Sequence, residues 1–385
     1  MFVSLENWDD IWRRNQFICD ELARRDSQRR ILFVGLPRDM SNAFRHGRFR
    51  ELINGSKPVS ASRPNIILAS PTKLLPNTIT LGRWWNEASF RRHVRRRMQQ
   101  LEFHKPLLWI NAHSAVHMVG RMGESGVVYD ITDDWTTLTQ SARLTQLITR
   151  QDQELCRRAD AVIVCSERLR EMKAGVARQL HLIPNGVNAG HYSAVQSLPE
   201  QANRWKHPVV GYVGTIHPDR IDVSLVEGIA REMPEASIVL VGPNHLRAAE
   251  MDRLEGLANV FFTGPIPYNE VPSYMNAFDI CMTPHRVTPF TESLNPIKLW
   301  EYLAVGKPIV STNVAGFRDY PQWVSIASTA GEFTEAIRCG LVESPDVAPA
   351  RRAEAARHSW SARVDEIERV LALCEPRGKS EAAHA

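Results

Sequence analysis

The stretch NPIKLWEYLAVGKPIVST, residues 295–312, predicts a short helix that runs directly into a buried strand. Asn295 is of a residue type that caps helices, and Pro296 suits the first helical position. Gly306 suits the position just past the end of the helix. The apolar run from Ile309 is typical of a strand inside a parallel α/β sheet.

Lys298 is an unexpected residue in this predicted helix. It lies in the first turn, where the helix dipole favours negative charge, and Glu301 follows one turn later on the same face. One interpretation is an ion pair between the two side chains on a solvated face. The other is that Lys298 and the helix N-terminus together bind an anion such as a phosphate.

Length and composition indicate an ordinary two-domain globular protein. The chain has 385 residues, of which 43% are hydrophobic and 23% charged. The six cysteines form no CxxC pair and no zinc-type spacing, which is typical of a reduced, cytoplasmic protein. The N-terminus lacks a signal-peptide pattern, and no apolar run is long enough to cross a membrane. We therefore expect a cytoplasmic protein.

Charge is distributed unevenly along the chain. Residues 1–187 contain 29 Lys and Arg against 19 Asp and Glu, a balance of +10, and the remainder has 18 against 24, a balance of −6. Opposite signs suggest two domains with different partners.

Both halves alternate buried strands with helices, which predicts two Rossmann-like, doubly wound α/β domains that face a cleft. The strand candidates read MFVSL, RILFVGLP, PNIILAS, PLLWINA, GVVYDITDDW and the first part of ADAVIVCSERLREMK, then HPVVGYVGTI, ASIVLVGP, NVFFTGPIP and DICMTPH. We expect an N-terminal domain over 1–187, a polar linker over 188–205, a C-terminal domain over 206–355, a final helix over 356–374 and a disordered tail over 375–385.

The second half places candidate phosphate ligands near one sheet edge. Gly214 follows a strand and lets the backbone approach a ligand, although the segment is not a GxGxxG fingerprint. Arg220 and Lys298 both lie in loops on the carboxyl side of the predicted sheet, where two cations and a helix end can neutralise a diphosphate. Glu301 can then accept two hydrogen bonds from a ribose diol. A plain tight turn at Gly214 is the alternative.

Four segments together resemble the GT-B-fold glycosyltransferases, in particular the large family 4-type group that builds bacterial polysaccharides and glycolipids. They read IPNGVNAGHY, GYVGTIHPDRID, NVFFTGPIPYNEVPSYMNAFDICMTP and NPIKLWEYLAVGKPIVST. The segments YDITDDW and WDDIWRRNQFICDELARRD resemble an exopolysaccharide-type subgroup. The similarity covers nearly the whole chain and is strongest over about 183–315.

The resemblance implies an N-terminal domain that binds the acceptor, a C-terminal domain that binds a nucleotide-sugar, and a final helix that crosses back to the N-terminal domain. It assigns Gly214, Arg220, Asn295 and Lys298 to the diphosphate and Glu301 to the ribose. The loop 264–267, which includes Ile266, would read the base, with Tyr268 packed near it. UDP- or GDP-sugars are the expected donors, and no cofactor is implied.

The chain departs from the family pattern at one position. Many relatives carry a glutamate eight residues before the ribose-binding one, where this chain has Ser293. The nearest carboxylate is Glu292. The sugar contacts and the retaining or inverting outcome are therefore left open.

The candidate general bases are carboxylates and a histidine that follow strands of the first half. Asp133 and Asp134 end the segment VVYDITDDW, and either can accept a proton from an acceptor hydroxyl. The alternative is that one of them caps the following helix. His113 in INAHSAVH is a third candidate, although a single histidine is often structural. No metal is expected.

Two further segments carry acceptor-side predictions. Asn7, Trp8 and Asp9 follow the first strand and are expected to face the acceptor. The segment RWWNEASFRRHVRRRMQQL predicts a basic helix that contacts an anionic membrane. Its proposed contact residues are Trp84, Trp85, Arg91, Arg92, Arg95 and Arg96. A solvated basic face is the alternative, and nucleic acid is the least favoured partner.

Together these features predict a cytoplasmic glycosyltransferase, peripheral on the inner face of the membrane. It would move a sugar from a nucleoside-diphosphate sugar to a glycan or a lipid-linked acceptor. Two alternatives stay open: a GT-B-fold sugar-nucleotide epimerase, and a scaffold that binds nucleotide-sugars without catalysis.

Overall fold

A computed structural model describes residues 1–9, 11–40, 61–75, 80–137, 141–194 and 197–374. They divide into two compact units. The first contains described residues within 1–132, 141–183 and 364–374, and the second contains 133–137 and those within 184–363. The predicted tail over 375–385 lies outside the described residues.

The first unit is built on a parallel sheet of seven strands in the order β4-β2-β1-β6-β7-β8-β9, with a separate pair β3-β5. The strands are β1 Phe2–Val3, β2 Ile31–Val34, β3 Arg38–Asp39, β4 Ile66–Ala69, β5 Thr72–Lys73, β6 Leu107–Ile110, β7 Gly126–Ile131, β8 Ala161–Val164 and β9 Leu180–Leu182. Its described helices are α1 Arg14–Arg25, α2 Thr80–Gln100, α3 Ala142–Arg158 and α4 Glu167–Lys173, with a 3₁₀ turn at His113–Met118. The central strands are apolar runs buried on both faces, as a sheet covered by helices requires.

The second unit contains a parallel sheet of six strands in the order β12-β11-β10-β13-β14-β15. The strands are β10 Val209–Val213, β11 Ser237–Val241, β12 Val260–Gly264, β13 Ile280–Thr283, β14 Ile309–Ser311 and β15 Val324–Ile326. The helices are α5 Ala189–Ser193, α6 Val223–Glu232, α7 Ala248–Glu255, α8 Val271–Asn276, α9 Ile297–Val305, α10 Ala330–Leu341 and α11 Val347–Arg357. This is the doubly wound strand order, and its topological switch point lies between β10 and β13.

The final helix α12, Trp360–Cys374, begins in the second unit. From Val364 onward its residues belong to the first unit, where Arg25 bonds Asp365 at 2.6 Å and Glu368 at 2.9 Å. This segment therefore packs on the first unit through ion pairs with α1.

The helix and strand predicted for residues 295–312 are confirmed as α9 and β14. Gly306 ends α9 in the left-handed region at φ 85°, as its position predicted. The predicted Asn295 cap is wrong, because the residue before the helix is Pro296 and no side chain caps α9. The Asn295 Oδ1 instead accepts a hydrogen bond from the backbone N–H of Asn185 at 2.8 Å.

Residues 188–205, predicted to be a linker, belong to the second unit. Their polar composition conceals two aromatic residues that pack in its core, Tyr192 at 2% exposure and Trp205 at 7%. The Tyr192 hydroxyl donates a hydrogen bond to Oε1 of Glu301 at 2.7 Å. The segment is therefore part of the domain that it was expected to precede.

Replacing Tyr192→Phe should lower the free energy of unfolding by about 1–3 kcal/mol, because the buried Glu301 carboxylate loses a donor while packing is kept. Ser193→Ala is the matched control, since this neighbouring side chain is exposed and should change stability by less than about 0.5 kcal/mol. Urea unfolding followed by circular dichroism measures both. Equal stability of the two variants would show that the hydrogen bond from Tyr192 to Glu301 does not stabilise the fold.

Candidate functional site

The candidate site lies at the switch point of the second sheet. The loop after β10 carries Gly214 and Arg220, and the loop after β13 carries His285 and leads to α9. An antiparallel bridge between Ile221 and His285 joins the two loops. Because ligands of doubly wound sheets bind outside the carboxyl ends of the strands at this point, both loops are positioned for binding.

Gly214 is required by close packing at the end of β10. Its φ is 154°, and a Cβ built there would lie 2.6 Å from the Tyr212 hydroxyl. A Cβ on Gly242, at the end of β11, would lie 2.1 Å from the Gly214 carbonyl oxygen. The two strand ends therefore approach each other closely, and a side chain at either glycine would clash.

Arg220 provides an uncompensated positive charge at this edge. Within the part of the chain that the structure describes, no carboxylate forms a salt bridge with it, and its guanidinium carbon lies 5.3 Å from the ring centre of Phe290. Burial, and then the charge of Arg220, lower the pKa of His285 to about 3. Burial raises the pKa of Tyr212 to about 12. Both neighbours are thus neutral near pH 7 and do not offset the charge of Arg220.

Lys298 and Glu301 form an ion pair, as one of the two interpretations of the sequence predicted. The Nζ of Lys298 lies 2.5 Å from Oε2 of Glu301, whose other oxygen is held by Tyr192. Glu301 is only 4% exposed, whereas 29% of the Lys298 side chain is exposed. The ion pair does not exclude anion binding, because a lysine has three donors and the N-terminal amides of α9 have no side-chain cap.

Tyr268 belongs to an aromatic group beside this carboxylate. Its ring stacks on His191 at 4.3 Å with an interplanar angle of 21°, and it meets Tyr192 edge-on at 6.3 Å. Ile266 packs against the same core, half-buried. The structure therefore brings the predicted base-reading residues and Glu301 to one place, linked through Tyr192.

Asp133 and Asp134 lie in the second unit, although they follow a strand of the first. The backbone N–H of Asp134 donates to Oγ of Ser293 at 3.2 Å, and the neighbouring Trp135 approaches Phe290 to 6.4 Å. Arg220 packs on the same phenylalanine. The candidate bases are thus close to the loop that supports the candidate phosphate site.

The two aspartates differ in exposure. Oδ1 of Asp134 accepts hydrogen bonds from the backbone N–H of Thr136 at 3.1 Å and from its hydroxyl at 2.5 Å, and the residue is 4% exposed. Asp134 therefore has a local structural role like the predicted helix cap, but in a turn and not at the start of a helix. Asp133 is half-buried.

Ser293 and Glu292 have structural partners in the second unit. Oγ of Ser293 donates to the carbonyl of Phe290 at 2.7 Å, and the residue is fully buried. Glu292 pairs with Arg318 at 2.5 Å and accepts a hydrogen bond from the N–H of Ala315 at 3.3 Å. Neither side chain therefore substitutes directly for the missing glutamate in this arrangement.

His113 belongs to the first unit, in the 3₁₀ turn after β6. Its Nδ1 lies 3.0 Å from Oε1 of Gln151, and burial lowers its pKa. It lines a cavity of about 710 Å³ within that unit.

The acceptor-side prediction for residues 7–9 stays a prediction, and only at Trp8 does the structure argue against it. Trp8 is 7% exposed and packs edge-on against Phe33 at 5.0 Å, so its indole is part of the core. The carboxylate of Asp9 is occupied by Arg13 at 3.1 Å. Only Asn7 is exposed, and it lies against the backbone at Gly35.

The basic helix is α2, and its residues divide into two groups. Trp84 is 61% exposed and Trp85 50%, and Arg92 and Arg96 are also exposed. Two other arginines bond to their own unit: Arg91 contacts the imidazole of His117 at 3.2 Å, and Arg95 donates to the Arg121 carbonyl at 3.1 Å. The membrane prediction therefore stays a prediction, and it rests on the exposed group.

The described residues contain neither a helix suited to span a membrane nor a metal-binding cluster. None of their helices combines the length and apolarity needed to cross a bilayer. No group of three or more His, Cys, Asp and Glu side chains in the described ranges is placed to hold a metal ion.

Sequence reasoning missed four residues that build the site. These are Asn185, which anchors Asn295; His191 and Tyr192, which pack on Tyr268 and Glu301; and His285. The segment IPNGVNAGHY contained a signal for three of them, because it carried part of the family resemblance. His285 had no local signal.

Comparison with known proteins places these elements in context. Residues 207–341 match the family described as Glycosyl transferases group 1. The putative teichuronic acid biosynthesis glycosyltransferase TuaH of Bacillus subtilis (strain 168) is 30% identical over 204 residues, or 49% of this chain and 50% of TuaH. The 2-deoxystreptamine N-acetyl-D-glucosaminyltransferase of Streptomyces fradiae is 34% identical over 167 residues, 41% of this chain and 35% of that protein. The chain spans half or less of the length of these two relatives.

Solved structures match over almost the whole chain. Sucrose-phosphate synthase from Thermosynechococcus elongatus has a TM-score of 0.71 at 16% identity, covering 96% of this chain and 97% of that one. Anabaena HepE in complex with UDP has a TM-score of 0.65 at 17% identity, covering 97% and 100%. These likenesses show that the chain has the GT-B fold.

Proposed function

We propose that the chain is a glycosyltransferase that uses a nucleoside-diphosphate sugar, with UDP as the nucleotide. The observation that carries the proposal is Arg220, which has no acidic partner among the described residues and lies at the switch point of a doubly wound sheet. The group 1 family match and the UDP bound to HepE support this choice of ligand.

The donor would bind through three kinds of contact in the second unit. Arg220, Lys298 and the uncapped N-terminus of α9 would hold the diphosphate. Glu301 would accept hydrogen bonds from the ribose hydroxyls, since a carboxylate has about four lone-pair sites and only two are in use. The loop with Ile266 and Tyr268 would contact the base.

In the transfer step, an acceptor hydroxyl oxygen forms a bond to the anomeric carbon of the sugar. The bond from that carbon to the diphosphate breaks, and its electron pair leaves with UDP. Arg220 and Lys298 stabilise the negative charge that develops on the departing diphosphate, which is the main catalytic contribution of the second unit. The proton of the hydroxyl passes to a general base.

Arg220→Gln should weaken UDP binding by about 10–100-fold, because a guanidinium–phosphate hydrogen bond contributes roughly 1.5–3 kcal/mol. This substitution leaves no carboxylate without its partner, so it separates binding from folding. Isothermal titration with UDP measures the effect. Uridine is the control ligand, since it lacks phosphates and should bind both forms equally.

Arg247→Gln is the control variant, because this exposed side chain of the second unit lies outside the site. It should leave UDP affinity unchanged. If Arg220→Gln binds UDP as tightly as wild type, the diphosphate does not contact Arg220.

We propose Asp133 as the general base, because it is the more exposed of the two aspartates: Asp133 is half-buried, whereas Asp134 is 4% exposed. Asp133→Asn should lower the rate of UDP release from a UDP-sugar by at least about 100-fold while UDP affinity is kept. His113→Gln provides the comparison for the second candidate base. A rate unchanged in Asp133→Asn and reduced in His113→Gln would assign the role to His113.

We further propose that the acceptor is a glycan or a lipid-linked glycan of bacterial polysaccharide synthesis, and that the protein works at the cytoplasmic membrane surface. TuaH is named for such a pathway. Leu81, Trp84 and Trp85 on α2 are exposed beside Arg92 and Arg96, a combination that suits an anionic interface.

Flotation with phosphatidylglycerol vesicles should recover the wild type, and a Trp84→Ser/Trp85→Ser variant should stay unbound. Equal flotation of both would exclude this face.

A further inference from the structure

The first unit contains a cavity of about 710 Å³ at the carboxyl ends of its sheet strands. Ser4 follows β1, Gly35 follows β2, and His113 follows β6 along its wall. The volume falls within the range of small-molecule sites. Within this unit the cavity occupies the position where a doubly wound sheet binds its ligand.

The charged groups of the cavity wall are mainly cationic. Arg83, Arg143 and Arg150 line it, and no salt bridge joins any of them to a carboxylate of the described residues. Lys73 also lines it and pairs with Asp39 at 2.5 Å. The acidic group of the wall is Glu87.

Among the described residues of the wall, the single acid, Glu87, and the two histidines do not neutralise the three arginines. Burial raises the pKa of Glu87, although Arg83 and Arg91 oppose that rise. Burial lowers the pKa of His113, and it lowers that of His117 to about 3, so neither imidazole adds a charge near pH 7. The wall therefore has three guanidinium groups whose charge is not neutralised by contact.

The N-terminus of α3 adds to the positive potential. Ser141 caps this helix of 17 residues and lines the cavity with Arg143 and Leu144. The first turn contains no acidic residue, so the helix dipole is not offset there. The helix end and the arginines thus favour the same ligand charge.

The cavity wall also contains two exposed leucine side chains. Leu36 is 41% exposed and Leu144 44% exposed, and both line the cavity. Exposed leucines inside a ligand-sized cavity are suited to an apolar portion of the ligand.

We propose that this cavity binds a phosphorylated acceptor, with Arg83, Arg143 and Arg150 contacting its phosphate. The inference rests on the proposed function, because it names the chemical class of the molecule that receives the sugar. Guanidinium groups match phosphate geometry through paired hydrogen bonds. The phosphate belongs either to a soluble sugar phosphate or to a prenyl diphosphate carrier.

The test compares phosphorylated and neutral probes by isothermal titration. Glucose 6-phosphate against glucose tests the soluble source, and farnesyl diphosphate against farnesol in detergent tests the lipid source. We expect at least one phosphorylated probe to bind about tenfold or more tightly than its neutral counterpart. The pair that shows the difference identifies the source.

An Arg83→Gln/Arg143→Gln/Arg150→Gln variant should lose that difference. The matched control carries Arg157→Gln, Arg168→Gln and Arg170→Gln, three exposed arginines of the same unit outside the cavity wall, and should retain it. Circular dichroism melting checks that both variants fold.

Three results would overturn the inference: neither phosphorylated probe binds, each binds no better than its neutral counterpart, or the triple variant keeps the difference. Titration of the same proteins with UDP distinguishes failure of the acceptor proposal from failure of the donor proposal. The triple variant should bind UDP as wild type does. Failure of wild type to bind UDP would refute the donor assignment without affecting the probe comparison.

Discussion

The buried carboxylate of Glu301 is the constraint around which the second unit is organised. A carboxylate at 4% exposure is unfavourable unless it is paired and hydrogen-bonded, and here each oxygen has a partner. Lys298 supplies a charge from the same helix, and Tyr192 supplies a hydroxyl from α5, more than 100 residues earlier. The need to satisfy one carboxylate therefore fixes the position of α5 against α9, and with it the stack of His191 on Tyr268.

Arginine pairing distinguishes structural from candidate ligand-binding cations. Arg14 and Arg351 are buried and bond to Asp130 and Glu343, so their charges are compensated within the fold. Arg220 has no acidic partner in the described parts of the chain, and it sits on the phenylalanine ring that also supports Trp135. This unpaired guanidinium, among the described residues, supports the proposal that Arg220 binds an anionic ligand.

Local signals account for the parts of the structure that the sequence predicted. The helix Ile297–Val305 and its end at Gly306 follow from apolar spacing and from the preference of glycine for positive φ, both properties of neighbouring residues. The Asn295 cap failed because its amide bonds Asn185, which lies 110 residues away. Trp8 followed a strand as a ligand-facing residue would, yet it packs on Phe33, and no local pattern distinguishes the two outcomes.

A crystal structure of the protein with UDP tests the central claim most directly. The account predicts that the diphosphate contacts the guanidinium of Arg220 and the N-terminal amides of α9, with the ribose hydroxyls on Glu301. UDP bound elsewhere, for example in the cavity of the first unit, or a diphosphate that leaves Arg220 without contact, would contradict it.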